Sequence, residues 1–261
     1  MLDSVIDDAN SLGDDLPSGL IRKPGKIKAA AKRKKKLSEV KTVNVLPANI
    51  DVQHCDFRNL QVEDGSVDLI LTDVIWSLSA RKDWLALSEC AKKWLKPKGL
   101  FVSLIGSETL PDFLDEIRTH LHYQTMGAMV YKAPKMSVDG RLFKQLTPFV
   151  IASNCKEKLD LGGLIDALFP KDANKDYFDM QQPISPMVDL TRALSKAGDV
   201  VVDPHLGSGT NGVADMRVGQ RNFIGCDINL KTVDIARHRI HTEGREEFDP
   251  FFKSRVVTVA G

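Results

Sequence analysis

One glycine-rich segment constrains the fold more than any other part of the sequence. Residues 203–210 read Asp-Pro-His-Leu-Gly-Ser-Gly-Thr, and they stand between an apolar run at 199–202 and a helical pattern at 211–218. Glycines between a strand and a helix let the backbone approach a ligand closely and expose amide donors at the N-terminus of the helix. The order strand, glycine-rich turn, helix therefore predicts a unit that binds an anionic or nucleoside-containing ligand.

An acidic residue strengthens this interpretation. Asp227 stands 20 positions after Gly207 and ends a second apolar run at 223–226. A carboxylate in that place can accept hydrogen bonds from the hydroxyls of a ribose. A lone Gly-x-Gly would fit an ordinary tight turn equally well, but the ordered combination of strand, turn, helix, strand and acid favours nucleoside binding.

Apolar runs and helical patterns alternate along the chain from residue 44 onward, which predicts an α/β domain with a mostly parallel sheet and helices on both faces. The predicted strands are 67–72, 100–105, 127–131, 148–153, 199–202 and 223–226, and the predicted helices are 81–95, 111–120, 185–196, 211–218 and 230–242. We expect one domain over 44–261, with a catalytic half at about 51–155 and a cofactor half at about 180–242.

The first 43 residues have a different composition. Glycines and prolines interrupt them, an acidic stretch at 3–15 is followed by the basic run Lys-Ile-Lys-Ala-Ala-Ala-Lys-Arg-Lys-Lys-Lys at 26–36, and the formal net charge of +1 conceals this asymmetry. We expect a flexible tail in which the basic run can form a short helix. It is either a solvated linker or an arm that contacts nucleic-acid phosphates.

The glycine-rich block resembles the D-P-F-x-G-S-G-T motif of adenine-N6 and cytosine-N4 DNA methyltransferases, and the resemblance continues through residues 221–228, Arg-Asn-Phe-Ile-Gly-Cys-Asp-Ile. It implies a Rossmann-like methyltransferase fold with S-adenosyl-L-methionine as cofactor. His205 replaces the usual aromatic residue, and Asp56 stands where the family has an acid near the cofactor adenine, although a helix N-cap explains it equally well. The implied cofactor-binding residues are Asp56, Asp203, His205, Gly207, Ser208, Gly209, Thr210 and Asp227.

A second motif lies upstream, as in the permuted members of this family. The segment Thr72-Asp73-Val74-Ile75-Trp76-Ser77 stands where the family has its catalytic D-P-P-[YFW]. The exocyclic amine of a nucleobase is a poor nucleophile, and a carboxylate together with a backbone carbonyl can bind both amine hydrogens and localise its lone pair. The resemblance thus assigns catalysis to Asp73, Val74 through its carbonyl, and Trp76 as the ring that stacks on a flipped base. Both prolines of the motif are absent.

The leading hypothesis is a DNA methyltransferase that acts on an amino group. Adenine N6 is favoured over cytosine N4, because the family resemblance associates Asp at the first position of the catalytic motif more often with adenine. The alternative is a weak or silent relative that acts as a DNA-binding or regulatory factor. Methylation of RNA or protein is a third option that no residue favours. The best overall likeness is to methyltransferase domains fused to ParB-like domains. A cytosine-C5 mechanism is disfavoured, because its nucleophilic cysteine commonly follows a proline and none of the four cysteines does.

Three further expectations concern partners and location. The segment 132–144, Lys-Ala-Pro-Lys-Met-Ser-Val-Asp-Gly-Arg-Leu-Phe-Lys, is either a DNA-facing loop or a basic surface hairpin. The scattered cysteines predict neither a metal site nor a disulfide scaffold. No apolar run reaches the roughly 18 residues of a membrane span and no leader pattern opens the sequence, so we expect a cytoplasmic protein.

Overall fold

The computed structural model describes residues 24–137, 140–172, 175–178 and 180–244, and the following elements lie within those ranges. The strands are β1 Ile50–His54, β2 Val67–Asp73, β3 Leu95–Leu104, β4 His122–Met136, β5 Phe143–Ser153, β6 Ala167–Leu168, β7 Val200–Asp203 and β8 Asn222–Asp227. The helices are α1 Pro24–Ser38, α2 Arg81–Trp94, α3 Leu110–Ile117, α4 Ile184–Leu194, α5 Thr210–Val218 and α6 Leu230–Glu243. Two short 3₁₀ helices, Phe57–Asn59 and Leu78–Ala80, follow β1 and β2.

The eight strands form one sheet in the order β1-β8-β7-β2-β3-β5-β4-β6. The pairs β1–β8, β8–β7, β7–β2 and β2–β3 are parallel, whereas β5 runs antiparallel to both β3 and β4. From β7 the chain continues outward to β8, and from β2 it continues in the opposite direction to β3. The strand order therefore reverses between β7 and β2, and such a switch point opens a crevice at the carboxyl ends of the strands.

Strand β2 shows how the core is organised on both faces of the sheet. Its side chains alternate, so Leu69 and Leu71 join one apolar cluster while Ile70 joins the other. The first cluster includes Leu190 of α4, Val213 of α5 and Ile240 of α6. The second includes, from α2 and α3, Trp84, Leu87, Phe113 and Ile117. The sheet is thus covered by helices on both faces, as the sequence predicts.

The structure departs from the predicted elements in several places, including the short strand β6, which was not predicted. Strand β1 was not predicted, since only Ile50 and Val52 are buried in this short segment. Strand β3 begins at Leu95, where the backbone becomes extended directly after α2, so it includes Pro97 and Gly99. Segment 132–144 is the β4–β5 hairpin, with Lys135 paired to Lys144, which agrees with the surface-hairpin alternative; residues 138 and 139 lie outside the described residues.

The basic run forms most of α1, whose described side chains are largely exposed. Lys32 bonds to Asp176 at 2.6 Å, and the backbone N–H of Lys41 donates to Nδ1 of His238 at 3.3 Å. The predicted acidic stretch at 3–15 and the rest of the tail before residue 24 lie outside the described residues. Among the described helices, none has the length and apolar character needed to cross a membrane.

Candidate cofactor and catalytic site

The two sequence motifs meet at the switch point of the sheet. Asp73 ends β2 and Asp203 ends the neighbouring strand β7, and both residues line a cavity of about 700 Å³. The loops after β1 and β8 complete its wall with Asp56 and Asp227. Of the predicted site residues, Gly209 is the one that does not line this cavity; the others are Asp56, Asp73, Val74, Trp76, Asp203, His205, Gly207, Ser208, Thr210 and Asp227.

The glycine-rich turn between β7 and α5 depends on glycine at two positions. Gly207 and Gly209 have φ angles of 50° and 81°, which residues other than glycine rarely adopt. A Cβ atom on Gly209 would also lie 2.9 Å from the Cα of Ala236 in α6. The N–H of Gly207 donates to Oδ2 of Asp227 at 3.1 Å, so the turn and the acid of the nucleoside motif are joined directly.

Arg239 of α6 supports the same turn through hydrogen bonds to Ser208, and the sequence analysis did not identify it. This fully buried side chain donates through Nη1 to the carbonyl of Ser208 at 2.8 Å and to its hydroxyl at 2.9 Å. Its charge is balanced by Glu243, one helical turn further along α6, at 2.9 Å. The signal was present in the sequence, because Arg239 falls on the apolar face of the helix with Ala236 and Ile240.

Asp203 holds the start of the turn and is almost completely buried. Its carboxylate accepts hydrogen bonds from the N–H of His205 at 3.1 Å and from Nδ2 of Asn211 at 2.9 Å. Burial raises the pKa of Asp203 to about 6 despite these donors. Oδ1 of Asn211, which lines the cavity, is buried and has no hydrogen-bond partner among the described residues. A polar ligand in the cavity would satisfy it.

His205 fills the place of the usual aromatic residue by packing on another ring. Its imidazole lies 5.2 Å from the ring of Phe57, centroid to centroid, and Nδ1 is 3.4 Å from the hydroxyl of Thr72. Burial lowers the pKa of His205 to about 4, so the imidazole is neutral at physiological pH. The position therefore contributes an uncharged planar wall, and Phe57 is a second site residue that the sequence analysis missed.

Asp56 has the capping role that was left open as an alternative. It is the N-cap of the first 3₁₀ helix and accepts from the N–H of Arg58 at 2.9 Å, while the guanidinium of Arg58 binds both carboxylate oxygens. Arg58 also forms an ion pair with Asp83 of α2. All three side chains line the cavity. A contact between Asp56 and an adenine would thus compete with the Arg58 guanidinium.

Two indole groups donate hydrogen bonds to the loop that follows β2. Nε1 of Trp76 donates to Oδ1 of Asp73 at 2.9 Å, and Nε1 of Trp84 donates to the carbonyl of Ile75 at 3.1 Å. Val74 is buried in the core, whereas Ile75 is 60% exposed. The other oxygen of Asp73, Oδ2, accepts from Nε2 of Gln182 at 2.7 Å. Burial, opposed by these two donors, raises the pKa of Asp73 to about 7.

A second cavity of about 660 Å³ shares Trp76, Met180 and Gln182 with the first. Its far wall is the β4–β5 hairpin, which contributes Tyr131 and Lys144 together with other residues. Its near wall is the segment between β3 and α3, residues 105–109. Trp76, the partner of Asp73, therefore lies between the first cavity, which the glycine-rich turn lines, and the second, which the basic hairpin borders.

Comparison with known proteins agrees with this geometry. Residues 151–238 match the model of the DNA methylase family that covers N6 and N4 enzymes, and residues 22–103 match a general methyltransferase domain. The chain is 41% identical over 63 residues to the type II methyltransferase M2.DpnII of Streptococcus pneumoniae, and 38% identical over 60 residues to M.HinfI of Haemophilus influenzae. These matched segments are 24% and 23% of this chain, and they span only 23% and 16% of the relatives' own lengths.

Solved structures share the architecture at low sequence identity. The M1.HpyAVI–SAM complex has a TM-score of 0.55 at 20% identity, with 73% of this chain and 99% of that chain covered. The cytosine-N4-specific PvuII DNA methyltransferase has a TM-score of 0.63 at 17% identity, with 76% and 89% covered. A putative DNA modification methylase of Thermus thermophilus complexed with S-adenosyl-L-methionine has a TM-score of 0.62 at 15% identity, with 75% and 94% covered.

The sheet order and the shared architecture identify the Rossmann-like methyltransferase fold, and S-adenosylmethionine is the cofactor of that class. Within that class, residues 151–238 match the amino-group DNA methylases, so the resemblance seen in the glycine-rich block is confirmed; the match does not extend to the segment 72–77. The residues present fit the cofactor: a wide cavity, two glycines with positive φ in the turn, the Asp227 carboxylate and the Oδ1 of Asn211, which has no partner among the described residues, are suited to a polar nucleoside.

Proposed function

We propose that this chain is an S-adenosylmethionine-dependent methyltransferase that modifies an exocyclic amino group of a nucleobase in DNA, with adenine N6 favoured over cytosine N4. One observation carries the proposal: Asp73, half-buried and hydrogen-bonded to Trp76, lines the same cavity as the glycine-rich turn. The preference for adenine rests only on the Asp that opens the catalytic motif. The catalytic unit is the domain from residue 44 onward.

The cofactor would be held by residues from both motifs. Asp227 would bind the ribose, the 207–210 turn the methionine part, and Asp56 the adenine once Arg58 has moved aside. Bound there, S-adenosylmethionine supplies an electrophilic methyl group. Neutral His205 and the buried Phe57 would keep water away from this end of the cavity.

Asp73 would make the amine a better nucleophile. Its carboxylate accepts one amine hydrogen, and the carbonyl of Val74 would accept the other, which localises the nitrogen lone pair. After the new bond to nitrogen has formed, the surplus amine proton can pass to Asp73, because a carboxyl with a pKa of about 7 is a suitable base near neutral pH. The ring of Trp76 would stack on the extruded base.

DNA would approach from the side of the second cavity. The hairpin contributes the exposed apolar side chains Met136, Leu142 and Phe143, and Lys135 and Lys144 flank them. Lys144 forms an ion pair with Glu108, which a phosphate would have to displace. Apolar and aromatic groups that contact unpaired bases, together with lysines that contact phosphates, form a surface suited to a distorted strand. The hairpin is therefore proposed as the DNA-facing element.

The test is incubation with tritiated S-adenosylmethionine and mixed-sequence DNA, followed by digestion to nucleosides and chromatography. Label in N6-methyladenine supports the full proposal, and label in N4-methylcytosine supports the amino-group chemistry but overturns the adenine preference. Asp73→Ala should abolish transfer while leaving cofactor binding intact. Asp115→Ala, which removes an exposed carboxylate from α3, is the matched control.

The alternative function is a DNA-binding factor with little or no methyl transfer. Two observations favour this alternative. Trp76 and Gln182 already donate hydrogen bonds to the two carboxylate oxygens of Asp73, so an amine would have to displace one of them. The two prolines of the family motif are also absent. A protein that binds cofactor and DNA tightly, but transfers no label to any DNA offered, would establish it.

A further inference from the structure

We propose that Gln182 is a positioning residue that fixes the orientation of the Asp73 carboxylate from the cofactor half of the domain. The effect of Gln182 on catalysis rests on the proposed function. The hydrogen bond that orients the Asp73 carboxylate and lowers its pKa can be tested without any methyl transfer.

The geometry places Gln182 at a junction between the two halves. Its Nε2 donates to Oδ2 of Asp73 at 2.7 Å, across 109 residues of sequence. Gln182 directly precedes Pro183, the N-cap of α4, and that helix packs into the core through buried Met187 and Leu190. Because proline fixes φ and the helix is anchored, the amide of Gln182 is presented from a rigid base.

The two donors to Asp73, Trp76 and Gln182, are anchored in different parts of the fold. Trp76 is only three residues away and belongs to the same loop, so it moves with Asp73. Gln182 is held independently by α4. An amine entering from the second cavity can take the place of the Trp76 N–H on Oδ1, while the bond from Gln182 to Oδ2 keeps the plane of the carboxylate fixed. Such orientation is what a reacting group needs, because small displacements have large effects on rate.

Gln182 is also a neutral partner for a buried charge. The charged or titratable groups that act on Asp73 are Asp203 of β7, which opposes its ionisation, and Lys175, which favours it. Burial raises the pKa of the Tyr131 phenol in β4, and the charge of Asp73 acts in the same direction. An amide donor stabilises the carboxylate less than a cation would, so the residue at 182 sets how readily Asp73 ionises.

The indole N–H of Trp76 provides a direct reporter of this carboxylate. The protein has three tryptophans, so its ¹⁵N–¹H spectrum has three indole signals that substitution can assign. The Trp76 signal should titrate with Asp73, because its proton is donated to Oδ1. The Trp84 signal is the internal control for folding, because its N–H is donated to a backbone carbonyl instead.

The decisive experiment is the pH titration of these signals in the wild type, Gln182→Ala and Gln182→Lys. The midpoint of the Trp76 transition should move to higher pH in Gln182→Ala, which lacks the donor, and to lower pH in Gln182→Lys, which adds a cation. Gln53→Ala changes a half-buried glutamine of β1, far along the sheet from Asp73, and should leave the midpoint unchanged. An unchanged midpoint in both Gln182 variants, with the Trp84 signal intact, overturns the proposal.

Kinetics separate this role from simple lining of the cofactor cavity. Gln182→Ala should lower kcat about 10- to 100-fold with little change in KM for S-adenosylmethionine, and the acid limb of the rate profile should move with the Trp76 midpoint. A rise in KM with an unchanged profile would show a lining residue only and overturn the inference. If no variant and no wild type transfers label, the proposed function fails, while the indole titration still decides the role of Gln182.

Discussion

The backbone N–H of Gly207 donates to the carboxylate of Asp227 across the carboxyl edge of two neighbouring strands, at 3.1 Å. The second carboxylate oxygen of Asp227 accepts from the N–H of Asn229 at 2.8 Å. Asp227 therefore has two tasks: it holds the glycine-rich turn and the start of α6, and it presents a charged acceptor to the cavity. Loss of its carboxylate should affect both the turn and the ligand.

Substitution Asp227→Ala should weaken binding of S-adenosylmethionine. We expect the wild type to bind at about 1–10 μM, or roughly 7–8 kcal/mol. The variant should bind S-adenosylmethionine about 10- to 100-fold more weakly, since a hydrogen bond to a charged group contributes roughly 1.5–3 kcal/mol. Isothermal calorimetry measures this difference. Asp51→Ala, which removes an exposed carboxylate from β1, is the control. Equal affinities for the wild type and Asp227→Ala would place the cofactor elsewhere.

Asp215 of α5 should make the stability depend on pH. It is 1% exposed, neither oxygen has a hydrogen-bond partner among the described residues, and burial raises the pKa of Asp215 from 3.8 to about 7. A carboxyl with a raised pKa in the folded state favours folding only while it is protonated. Its contribution is complete below pH 3.8 and is lost as the pH rises towards about 7.

The isosteric Asp215→Asn cannot ionise, so it should be more stable than the wild type at pH 8 by on the order of a few kcal/mol, and the difference should shrink towards pH 4. Urea unfolding at several pH values measures it. The exposed Asp115→Asn should show a small difference that does not grow with pH. If the advantage of Asp215→Asn is the same at pH 4 and pH 8, Asp215 does not titrate as the structure indicates.

The sequence was most informative where burial and backbone geometry leave few alternatives. Strand β2 could be predicted because a strand buried on both faces must be apolar almost throughout, and the turn at Gly207 and Gly209 because two left-handed residues require glycine. Strand β1 was missed because a partly covered strand with two buried residues gives too weak an alternation to detect.

Contacts between distant segments could not be predicted from local pattern. Gln182 and Asp73 are 109 positions apart, and no periodicity of either segment points to the other. Arg239 could have been noticed as a charge on an apolar helix face, but its partners, the carbonyl and hydroxyl of Ser208, follow only from the packing of α6 against the turn. Sequence thus predicted which segments form the site, and tertiary packing determined which side chains complete it.

The exposed lysines of α1 should contribute sequence-independent affinity for DNA. Lys28, Lys34 and Lys35 are exposed, so their substitution by glutamine should leave the fold intact. For each of these lysines that binds a phosphate, the substitution should reduce the slope of log affinity against log salt by roughly 0.9. Fluorescence anisotropy at several salt concentrations measures the slope. The control changes three exposed lysines near the end of α2 and the start of β3, namely Lys92, Lys93 and Lys98. Identical slopes for the wild type and the α1 variant would make the helix a linker.

The loop after β2 separates two hypotheses that predict opposite results. In the weakened-enzyme hypothesis, the protein still methylates but slowly, because its loop has lost two prolines; in the silent-protein hypothesis, it no longer methylates. The double substitution Val74→Pro with Ile75→Pro restores the family pattern and restricts the backbone beside Asp73. Proline retains the carbonyl that Ile75 offers to Trp84, so this anchor of the loop is preserved. If the loop must be ordered in the transition state, two prolines that each contribute about 0.4–1 kcal/mol should raise the rate about tenfold.

Single-turnover assays with tritiated S-adenosylmethionine measure this rate, and the control is Val74→Ala with Ile75→Ala, which removes the same side chains without restricting the backbone. The control should be no faster than the wild type, because alanine leaves the loop as free as before. Asp73→Ala in the double-proline background should be inactive, since the amine then has no charged acceptor. The weakened-enzyme hypothesis is falsified if the wild type and the double-proline variant both bind cofactor and DNA and neither transfers a methyl group, because a loop that has merely lost order must regain activity when that order is restored.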